Sequence, residues 1–216
     1  MSLPGDALKR AFDLTASAAA LILLSPVLLA ISLWIKADSP GPVVYAGARV
    51  GRHGRPFRFY KFRTMVQNAD KIGGSSTADG DPRVTRSGRF LRKYKLDELP
   101  QLYNVLRGDV SIVGPRPEVK EYTDLYTEEE KAILTVRPGI TDWATIWNAD
   151  EGAVLAGAED PDKAYRELIR PTKVRLQLKY VRERGFITDM KIIFLTFLAM
   201  VSPTSKAVEE IRGMKK

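Results

Sequence analysis

The sequence predicts a mostly helical α+β fold in which an N-terminal membrane helix precedes a small sheet and several amphipathic helices. Residues 14–35 form an apolar run without a single charge. Two short segments, 43–45 and 57–62, are rich in Val, Tyr and Phe and flank a Gly-containing turn, which is typical of a β-hairpin. Farther along the chain, apolar residues recur at helical spacing over 162–184. The length of 216 residues fits one domain, or one domain with a small annex.

The composition excludes several classes of site and points to an anionic partner. The chain has no Cys and one His, which excludes disulfide scaffolds, thiol nucleophiles, Cys-ligated metals and multi-His metal centres. Its net charge is +8, and thirteen basic residues face three acidic ones over 49–95. Such a basic segment is often a solvated surface. Next to an apolar run, it favours a phosphate ligand, a nucleic acid or a membrane surface as partner.

The apolar run 14–35 is long enough to cross a membrane. As one helix it would measure roughly 33 Å, against about 30 Å for the hydrocarbon core of a bilayer. It is also longer than the apolar core of a cleaved signal peptide. A second apolar stretch, 192–201, is too short to span. It predicts either a core helix or an interfacial helix, and the residues leave both alternatives open.

The flanks and the middle of the first run bear on its topology. Lys9 precedes the run and Lys36 follows it, and basic residues favour the cytoplasmic side of a membrane. Pro26, directly after Ser25, interrupts the helical hydrogen bonds in the middle of the run. The residues alone leave a kinked spanning helix and a re-entrant helix as equal alternatives.

The remaining segments predict short elements in order along the chain. Ser87 is expected to cap one helix, and Asp97 to cap the next, which would tolerate Pro100 in its first turn. A strand is expected at 110–113. Further helices are expected at 128–136 and 162–184, with Pro171 dividing the last of these.

Asp97 and Glu98 are the strongest candidates for chemistry. They form a carboxylate pair directly after the densest basic segment. Acidic residues are common in the first turn of a helix, which is the competing structural explanation. A helix that begins at Asp97 would, however, also present its N terminus to an anion. A carboxylate can attack phosphorus when cations keep it ionised and Mg²⁺ neutralises the electrophile. Mg²⁺ would need oxygen ligands, which this Cys-free chain can supply.

Two other positions offer cations to a phosphate. On a strand, Lys61 and Arg63 would share one face, with Phe62 on the other. This arrangement suits a diphosphate, although an ordinary surface strand would have the same pattern. Arg116 lies between two prolines, whose fixed φ angles provide a stiff mount for a guanidinium aimed at a phosphate.

These residues resemble the bacterial sugar transferases, the monotopic phosphoglycosyl transferases that start glycan assembly on polyprenol phosphate. The match is dense from about residue 9 to residue 141, and the motifs are specific jointly rather than singly. The motifs are SP at 25–26, KFRTM at 61–65, DPRVTR at 81–86, LDELPQL at 96–102, NVL at 104–106, GPRP at 114–117 and RPGIT at 137–141.

The resemblance implies a reaction and a site. Family members transfer a sugar phosphate from a UDP-sugar to undecaprenyl phosphate and release UMP, as the first membrane step of glycan assembly. It implies that Asp97 is the nucleophile that forms a covalent phosphosugar intermediate, and that Glu98 supports it and helps to place Mg²⁺. The Mg²⁺ site that the resemblance implies is therefore the pair Asp97 and Glu98. The basic residues that it implies near the phosphates are Lys61, Arg63, Arg86, Arg92, Arg116 and Arg137.

The resemblance also implies a topology and partners. Ser25 and Pro26 match the break in the family's re-entrant helix, so residues 1–38 are expected to enter and leave the bacterial inner membrane on its cytoplasmic face. Residues 39–216 are expected to form the catalytic domain with interfacial helices, as a minimal catalytic form of the family. The expected partners are a UDP-sugar, undecaprenyl phosphate and membrane lipids, with no nucleic acid. A homodimer is one of the oligomeric states left open.

The chain departs from the family pattern in one region. Where many members read T-G-W-A-Q-V-N-G-R, this chain reads T-D-W-A-T-I-W-N-A over 141–149, so the terminal Arg is missing. The segment 150–171 is longer and more acidic than in the family. A family acid aligns with Gln177, whereas Asp189 is retained. These differences lie where sugar or nucleotide selectivity could be set, and the sugar stays unidentified.

A second function class remains as an alternative. A membrane-anchored nucleic-acid-binding or regulatory protein would use the basic segment 49–95 as a patch for the phosphate backbone. The sequence contains no DNA- or RNA-reading motif in support of it. Its binding would weaken steeply with salt and would not depend on Asp97.

Overall fold

A computed structural model describes residues 4–69, 72, 80–148, 151–202 and 204–213, and it confirms a mostly helical α+β fold. Two helices come first, and a hairpin and short mixed elements follow before a helical C-terminal part. The helices are α1 Pro4–Leu23, α2 Ser25–Asp38, α3 Arg86–Lys93, α4 Gln101–Arg107, α5 Lys120–Thr123, α6 Trp143–Trp147, α7 Glu151–Leu155, α8 Pro161–Ala164, α9 Arg170–Glu183, α10 Phe186–Val201 and α11 Lys206–Arg212. The strands are β1 Val44–Val50, β2 Pro56–Phe62, β3 Ser111–Val113 and β4 Gly139–Thr141.

The apolar run folds as two helices, α1 and α2, joined at Leu24. Pro26 lies in the first turn of α2, where its missing N–H costs no helical hydrogen bond. The Ser25 hydroxyl donates to the Ile22 carbonyl at 2.8 Å. Within the described residues, no single helix is long and apolar enough to cross a membrane. The pair Gly5–Leu23 and Ser25–Asp38, bent by 61°, passes that test only together, as does Phe186–Val201 with Lys206–Arg212, bent by 104°.

Both ends of the bent α1–α2 pair are attached to the rest of the molecule. Near the start of α1, Lys9 donates to the Asp189 carboxylate on α10 at 2.6 Å. At the end of α2, the Asp38 carboxylate accepts the backbone N–H and the hydroxyl of Ser87 at 2.9 and 2.8 Å. The outer bend is apolar and exposed, since Leu23 is 77% accessible. The pair therefore leaves the globular part and returns to it.

Two small sheets frame the middle of the chain. Strands β1 and β2 form the predicted antiparallel hairpin, from the pair Val44 and Phe62 to the pair Val50 and Pro56. Strand β3, also predicted, pairs in parallel with β4. Strand β4 was not predicted, because its three residues directly follow a Pro and are too few to show an alternating pattern.

The apolar core is divided among several clusters. The largest lies in the C-terminal part, where Ile146, Leu176, Ile192 and Val208 from α6, α9, α10 and α11 pack together. A second cluster joins the end of α2 to the hairpin and to α3. A third joins β2 to the end of α4 and the start of β3. The hairpin is thus packed on both sides, which fixes its position relative to α3 and α4.

Helix α10 confirms the core interpretation of the second apolar stretch, and its interfacial interpretation stays a prediction. One face is buried in the C-terminal core through Ile192 and Leu195. The other face is exposed, with Phe194, Phe197 and Met200 each more than 60% accessible. An exposed apolar face of this kind is typical of an interaction surface.

Three expected local structures were wrong in detail. Thr85, not Ser87, caps α3 by accepting the N–H of Gly88 at 3.0 Å, because the Ser87 groups are bound to α2.

Asp97 caps no helix. It lies in a 3₁₀ turn, Leu96–Glu98, and α4 begins only at Gln101. The segment expected to be helical at 128–136 is a 3₁₀ helix, Glu130–Thr135. The division at Pro171 is confirmed, since a π-helical segment, Tyr165–Ile169, precedes α9.

Candidate active site

A tight turn presents the two adjacent carboxylates to the hairpin. Helix α3 ends where Lys95 adopts a left-handed conformation, with φ of 55°. A non-Gly residue rarely adopts this conformation, and such residues are concentrated at functional sites. The reversal places Asp97 and Glu98 between α3 and α4, next to β2. Asp97 is only 5% accessible.

Glu98 is held by two cations. One carboxylate oxygen accepts from Lys61 on β2 at 3.0 Å and also from an Arg116 nitrogen. The other oxygen accepts from Arg116 Nη1 at 3.0 Å. Burial alone would raise the pKa of Glu98, but the charges and hydrogen bonds of Arg116 and Lys61 outweigh it and hold that pKa well below its usual range. Glu98 is therefore a fixed anion that joins the hairpin to the Arg116 loop.

Asp97 differs from its neighbour in having no such partner. Among the described residues, no side chain or backbone group forms a hydrogen bond with its carboxylate. Burial raises its pKa, and Glu98 adds to this, while the positive charges of Lys61, Arg92 and Arg116 act in the opposite direction. Asp97 is thus a buried carboxylate surrounded by cations but not bound to them. These are the properties of a nucleophile or of a ligand-binding group.

Arg92 completes the group of cations from a third side. It lies on α3, and its Nε donates to the hydroxyl of Thr64 at 2.9 Å. Thr64 was not predicted as a site residue, although it belongs to the KFRTM motif. An isolated Thr beside basic residues gives no signal of this role in the sequence. The contact orients Arg92 from the segment that follows β2.

The loop that carries Arg116 is fixed by the packing of β3 against β4. Gly114 and Gly139 touch backbone to backbone, and a Cβ on Gly139 would lie 2.1 Å from the Gly114 nitrogen. Glycine is therefore required at this crossing. Arg116 Nη1 also donates to the Ile140 carbonyl at 3.0 Å, and its guanidinium lies over the ring of Phe59. The side chain consequently leaves the loop in one defined direction, toward Glu98.

The predicted site residues fall into two groups. Asp97, Glu98, Lys61, Arg92 and Arg116 are brought together, as the charge interactions among them show. The other predicted residues lie in different surroundings. Those residues are Arg63, Arg86, Arg137, Ser25 and Pro26.

Each of the other three arginines has its own environment. Arg63 is buried directly after β2, and its backbone N–H still donates to the Val43 carbonyl at 2.8 Å. Its Nη2 donates to the Ser39 carbonyl at 2.7 Å, at the end of α2. Arg86 is exposed at the start of α3. Arg137 is half-buried, and burial and the charge of Arg10 on α1 lower its pKa. A phosphate-binding role for these three stays a prediction.

The carboxylates fit a bound Mg²⁺ only in part. Within the described residues, no three acidic, His or Cys side chains gather where they could hold a metal by themselves. Glu98 does not fit as a ligand, because both its oxygens are hydrogen-bonded to cations. Asp97 does fit, and Mg²⁺ is commonly held by one or two carboxylates together with substrate phosphates and waters. Asp97 is therefore the one member of the predicted pair that suits the metal.

Comparison with known proteins identifies the family. The model of the family described as bacterial sugar transferase matches residues 5–203. The chain belongs to the bacterial sugar transferase family. The match covers α1 through α10, including the 3₁₀ turn with Asp97 and the Arg116 loop.

Curated relatives of this sugar transferase carry related names. The chain is 38% identical to the UDP-N-acetylgalactosamine-undecaprenyl-phosphate N-acetylgalactosaminephosphotransferase of Aeromonas hydrophila, over 90% of the chain and 44% of that protein. It is 41% identical to the UDP-glucose:undecaprenyl-phosphate glucose-1-phosphate transferase of Escherichia coli, over 88% of the chain and 39% of that protein. The sugar transferase EpsL of Bacillus subtilis is 39% identical, over 88% and 85%. The chain thus spans about two fifths of the first two relatives and most of the third.

Proposed function

We propose that this bacterial sugar transferase moves a sugar phosphate from a UDP-sugar to undecaprenyl phosphate and releases UMP. The observation that carries the proposal is Asp97, a buried carboxylate without a hydrogen bond among three cations, beside a glutamate that is fully engaged. The names of the Aeromonas hydrophila and Escherichia coli relatives support the donor class and the acceptor. Their two names differ in the sugar, so likeness to them leaves the choice of sugar to experiment.

The chemistry follows from the arrangement of charges. An Asp97 oxygen attacks the phosphorus that carries the sugar, and the bond from that phosphorus to the bridging oxygen breaks. UMP leaves with the bonding electrons, and a phosphosugar remains on the Asp97 carboxylate. An oxygen of undecaprenyl phosphate then attacks the same phosphorus, so the bond to Asp97 breaks and the carboxylate is regenerated. Splitting the transfer in this way is nucleophilic catalysis.

The surrounding residues hold the reactants rather than react. Lys61, Arg92 and Arg116 supply positive charge where the diphosphate of the donor would lie, and such preorganised charge stabilises a phosphoryl-transfer transition state. Glu98 holds Lys61 and Arg116 in place. We include Mg²⁺ as a cofactor that Asp97 would hold together with donor phosphates. When bound, it would neutralise charge on the diphosphate.

We also propose that the α1–α2 pair is a re-entrant element on the cytoplasmic face of the inner membrane. A helix that spans the bilayer separates its ends by about 30 Å. Here the start of α1 is bonded to α10 and the end of α2 to α3, within one globular part. The exposed apolar bend between them, with Leu23 at its outer end, is the portion that would enter the hydrocarbon.

The reaction is tested by measuring UMP. Purified protein in nanodiscs is incubated with Mg²⁺, undecaprenyl phosphate and each of a panel of UDP-sugars. We expect sustained UMP release with one or a few sugars, and with the acceptor omitted a single burst equal to the amount of enzyme. Sustained release without any burst would contradict the aspartyl intermediate. A folded protein that releases no UMP with any donor would contradict the proposed reaction.

The topology is tested by labelling single cysteines, which the Cys-free chain makes simple. Ala7→Cys and Ala37→Cys, both at exposed positions, mark the two ends of the α1–α2 pair. A membrane-impermeant maleimide should label both in inverted inner-membrane vesicles and neither in spheroplasts. Leu23→Cys, at the bend, should resist labelling from both sides. One end labelled in each preparation would instead show a spanning helix.

The nucleic-acid alternative gains no support from the site. Several basic residues of the segment 49–95 point inward, and Lys61, Arg63 and Arg92 donate to protein groups. The segment also has exposed basic residues, such as Arg52, Arg58 and Arg89, so DNA binding has to be tested directly. Salt-dependent DNA binding that persists in the Asp97→Asn variant, in a protein without UMP release, would favour this alternative.

A further inference from the structure

The backbone of Arg116 is held on both sides by buried side chains from the C-terminal part. Its N–H donates to Asp142 Oδ2 at 3.2 Å, directly before α6. Its carbonyl accepts from Gln177 Nε2, on α9, also at 3.2 Å. Both Asp142 and Gln177 have an accessibility of 0%. The backbone N–H and carbonyl of Arg116 are therefore both hydrogen-bonded to buried side chains, one directly before α6 and one on α9.

These two bonds are central to the loop because the loop has few other donors. Arg116 is flanked by Pro115 and Pro117, and proline has no backbone N–H. The N–H of Arg116 is thus the single backbone donor of the three residues, and it points to Asp142. The loop is stiff at its prolines, so fixing the Arg116 peptide also fixes the origin of its side chain.

The environment of Asp142 directs one oxygen to the loop. Its Oδ1 accepts the backbone N–H of Thr145 at 2.7 Å and the Thr145 hydroxyl at 2.8 Å, so it caps α6. This cap fixes the orientation of the carboxylate and leaves Oδ2 for Arg116. Oriented hydrogen-bond partners of this kind give a site its rigidity.

The Gln177 side chain has fewer hydrogen bonds than the Asp142 carboxylate. Its Oε1 is buried without a hydrogen-bond partner among the described residues, which is unfavourable for stability. The bond that Gln177 does form goes to the Arg116 carbonyl. Within the described residues, the Gln177 side chain is therefore anchored through Arg116 alone.

We propose that Asp142 and Gln177 are positioning residues for Arg116, and that they determine how its guanidinium meets Glu98 beside Asp97. The proposal rests on the proposed function, because Arg116 is taken to act on the diphosphate. A displacement of about 1 Å at a catalytic group can reduce the rate by roughly a hundredfold. Asp142 and Gln177 both lie where this chain departs from the family pattern. That region would then affect the reaction by positioning Arg116.

The test uses two variants, each with a matched control. Asp142→Asn can keep the cap on Thr145 but turns an amide N–H toward the N–H of Arg116, and Gln177→Leu removes the donor to the Arg116 carbonyl. Thr145→Val, the control for Asp142, removes a bond to the same carboxylate on its other oxygen. Arg170→Gln is the control for Gln177, because both residues lie on α9. It breaks a partly buried ion pair between Arg170 and Glu130.

We expect kcat per active enzyme, counted by the UMP burst, to fall by about 10- to 50-fold in Asp142→Asn and by about fivefold in Gln177→Leu. The KM for the donor should change less than twofold, since the residues do not touch it. Thr145→Val and Arg170→Gln should retain kcat within about twofold, whatever their effect on melting temperature. Counting active sites removes any contribution from a misfolded fraction.

A double-mutant cycle separates positioning from general damage. In an Arg116→Lys background, the effect of Asp142→Asn should nearly vanish, because the group it positions is already replaced. An equal fold loss in both backgrounds would overturn the proposal, as would wild-type kcat in both Asp142→Asn and Gln177→Leu. If Asp142→Asn fails to fold, the same cycle is run with Gln177→Leu. Failure of wild-type protein to release UMP would count against the proposed function instead.

Discussion

Two buried clusters of charge involve the loop around Arg116, one at Arg116 itself and one at Glu118, and they are built differently. The active-site cluster contains Asp97 and Glu98 with their cations. The Glu118 cluster contains Glu118, two residues after Arg116, with Lys173 and Tyr165. In the Glu118 cluster, one carboxylate oxygen accepts from Lys173 at 2.5 Å and from Tyr165 at 2.8 Å. Lys173 also donates to the Tyr165 hydroxyl at 3.0 Å.

The difference lies in whether each carboxylate has a partner. Burial works to raise the pKa of Glu118, but Lys173 and the hydrogen bonds outweigh it and lower that pKa. In the active-site cluster, Glu98 takes the hydrogen bonds of Lys61 and Arg116, and burial leaves Asp97 with a raised pKa. Glu118 and Glu98 are thus held in ion pairs, whereas the Asp97 carboxylate forms no hydrogen bond within the described residues, as the proposed nucleophile requires. The completeness of hydrogen bonding therefore distinguishes the two clusters better than burial or charge.

The largest expected effect comes from removing the unsatisfied carboxylate. Asp97→Asn should reduce UMP release by more than about 10³-fold, because an amide cannot serve as the nucleophile. The same variant should melt at a temperature no lower than wild type, because the buried charge it removes has no hydrogen bond to lose. Nanodisc-held protein is assayed for UMP and for thermal unfolding.

Asp124→Asn is the matched control for this change. Its carboxylate is exposed and pairs with Lys120 on the surface, so activity and melting temperature should both stay close to wild type. Turnover of Asp97→Asn at more than a tenth of the wild-type rate would show that Asp97 is not the nucleophile. A large drop in its melting temperature would show that the carboxylate has a structural partner.

The Glu118 cluster should give the opposite result, with a loss of stability and little loss of activity. Lys173→Met leaves the Glu118 charge buried without its cation, which costs about 3 kcal/mol of unfolding free energy. The kcat of the folded protein should stay within about threefold of wild type. Denaturant unfolding and UMP release measure the two quantities, with Lys120→Met as an exposed control expected to lose less than about 1 kcal/mol.

A double replacement sharpens this prediction. Glu118→Gln combined with Lys173→Met removes both charges and should recover part of the stability lost in Lys173→Met alone. No recovery would mean that the loss arises from packing rather than from an unpaired charge. If Lys173→Met lost as much kcat as Asp97→Asn, the Glu118 cluster would belong to the catalytic machinery. The two clusters would then not differ in function.

The sequence predicted the residues of the active-site cluster but not their roles toward one another. The hairpin follows from its alternating residues and its turn, and Asp97, Glu98 and Arg116 stand out through charge and flanking prolines. Which of two adjacent carboxylates would be hydrogen-bonded depends on long-range contacts with Lys61 and Arg116. No local pattern contains that information. The expectation that Asp97 caps a helix was also wrong. The left-handed Lys95 is followed by a 3₁₀ turn that contains Asp97, and α4 begins only at Gln101.

Contacts between residues that are distant in the sequence could not be predicted either. Arg63 was expected to face a phosphate together with Lys61, but its guanidinium donates to groups at the end of α2, whereas Lys61 donates to Glu98. Gln177 and Asp142 were noticed only as departures from a family pattern, and their contacts with Arg116 require the fold. Ala149, where the family Arg is missing, and the neighbouring residue 150 lie outside the described residues. The part played there by the missing Arg stays a prediction.

The smallest expected effect is a difference in how the two clusters respond to acid. For Asp97, the pKa is higher in the folded than in the unfolded protein, so the folded state takes up a proton first as pH falls, and stability is gained. For Glu118, the folded pKa is lower, so its contribution is present above the ordinary Glu pKa of about 4.3 and is lost as pH falls below it. The two carboxylates thus act with opposite sign in the same pH range.

Melting temperatures at pH 7 and pH 4 test this opposition. On acidification, Asp97→Asn should lose more melting temperature than wild type, because it lacks the stabilising proton uptake. Glu118→Gln should lose up to about 1–2 °C less than wild type, because its contribution is already absent at pH 7 and pH 4 lies only just below the ordinary Glu pKa. Glu128→Gln, at an exposed position, should follow wild type. Equal slopes for Asp97→Asn and Glu118→Gln would show that the two carboxylates titrate alike, and that the contrast in their hydrogen bonding has no energetic consequence.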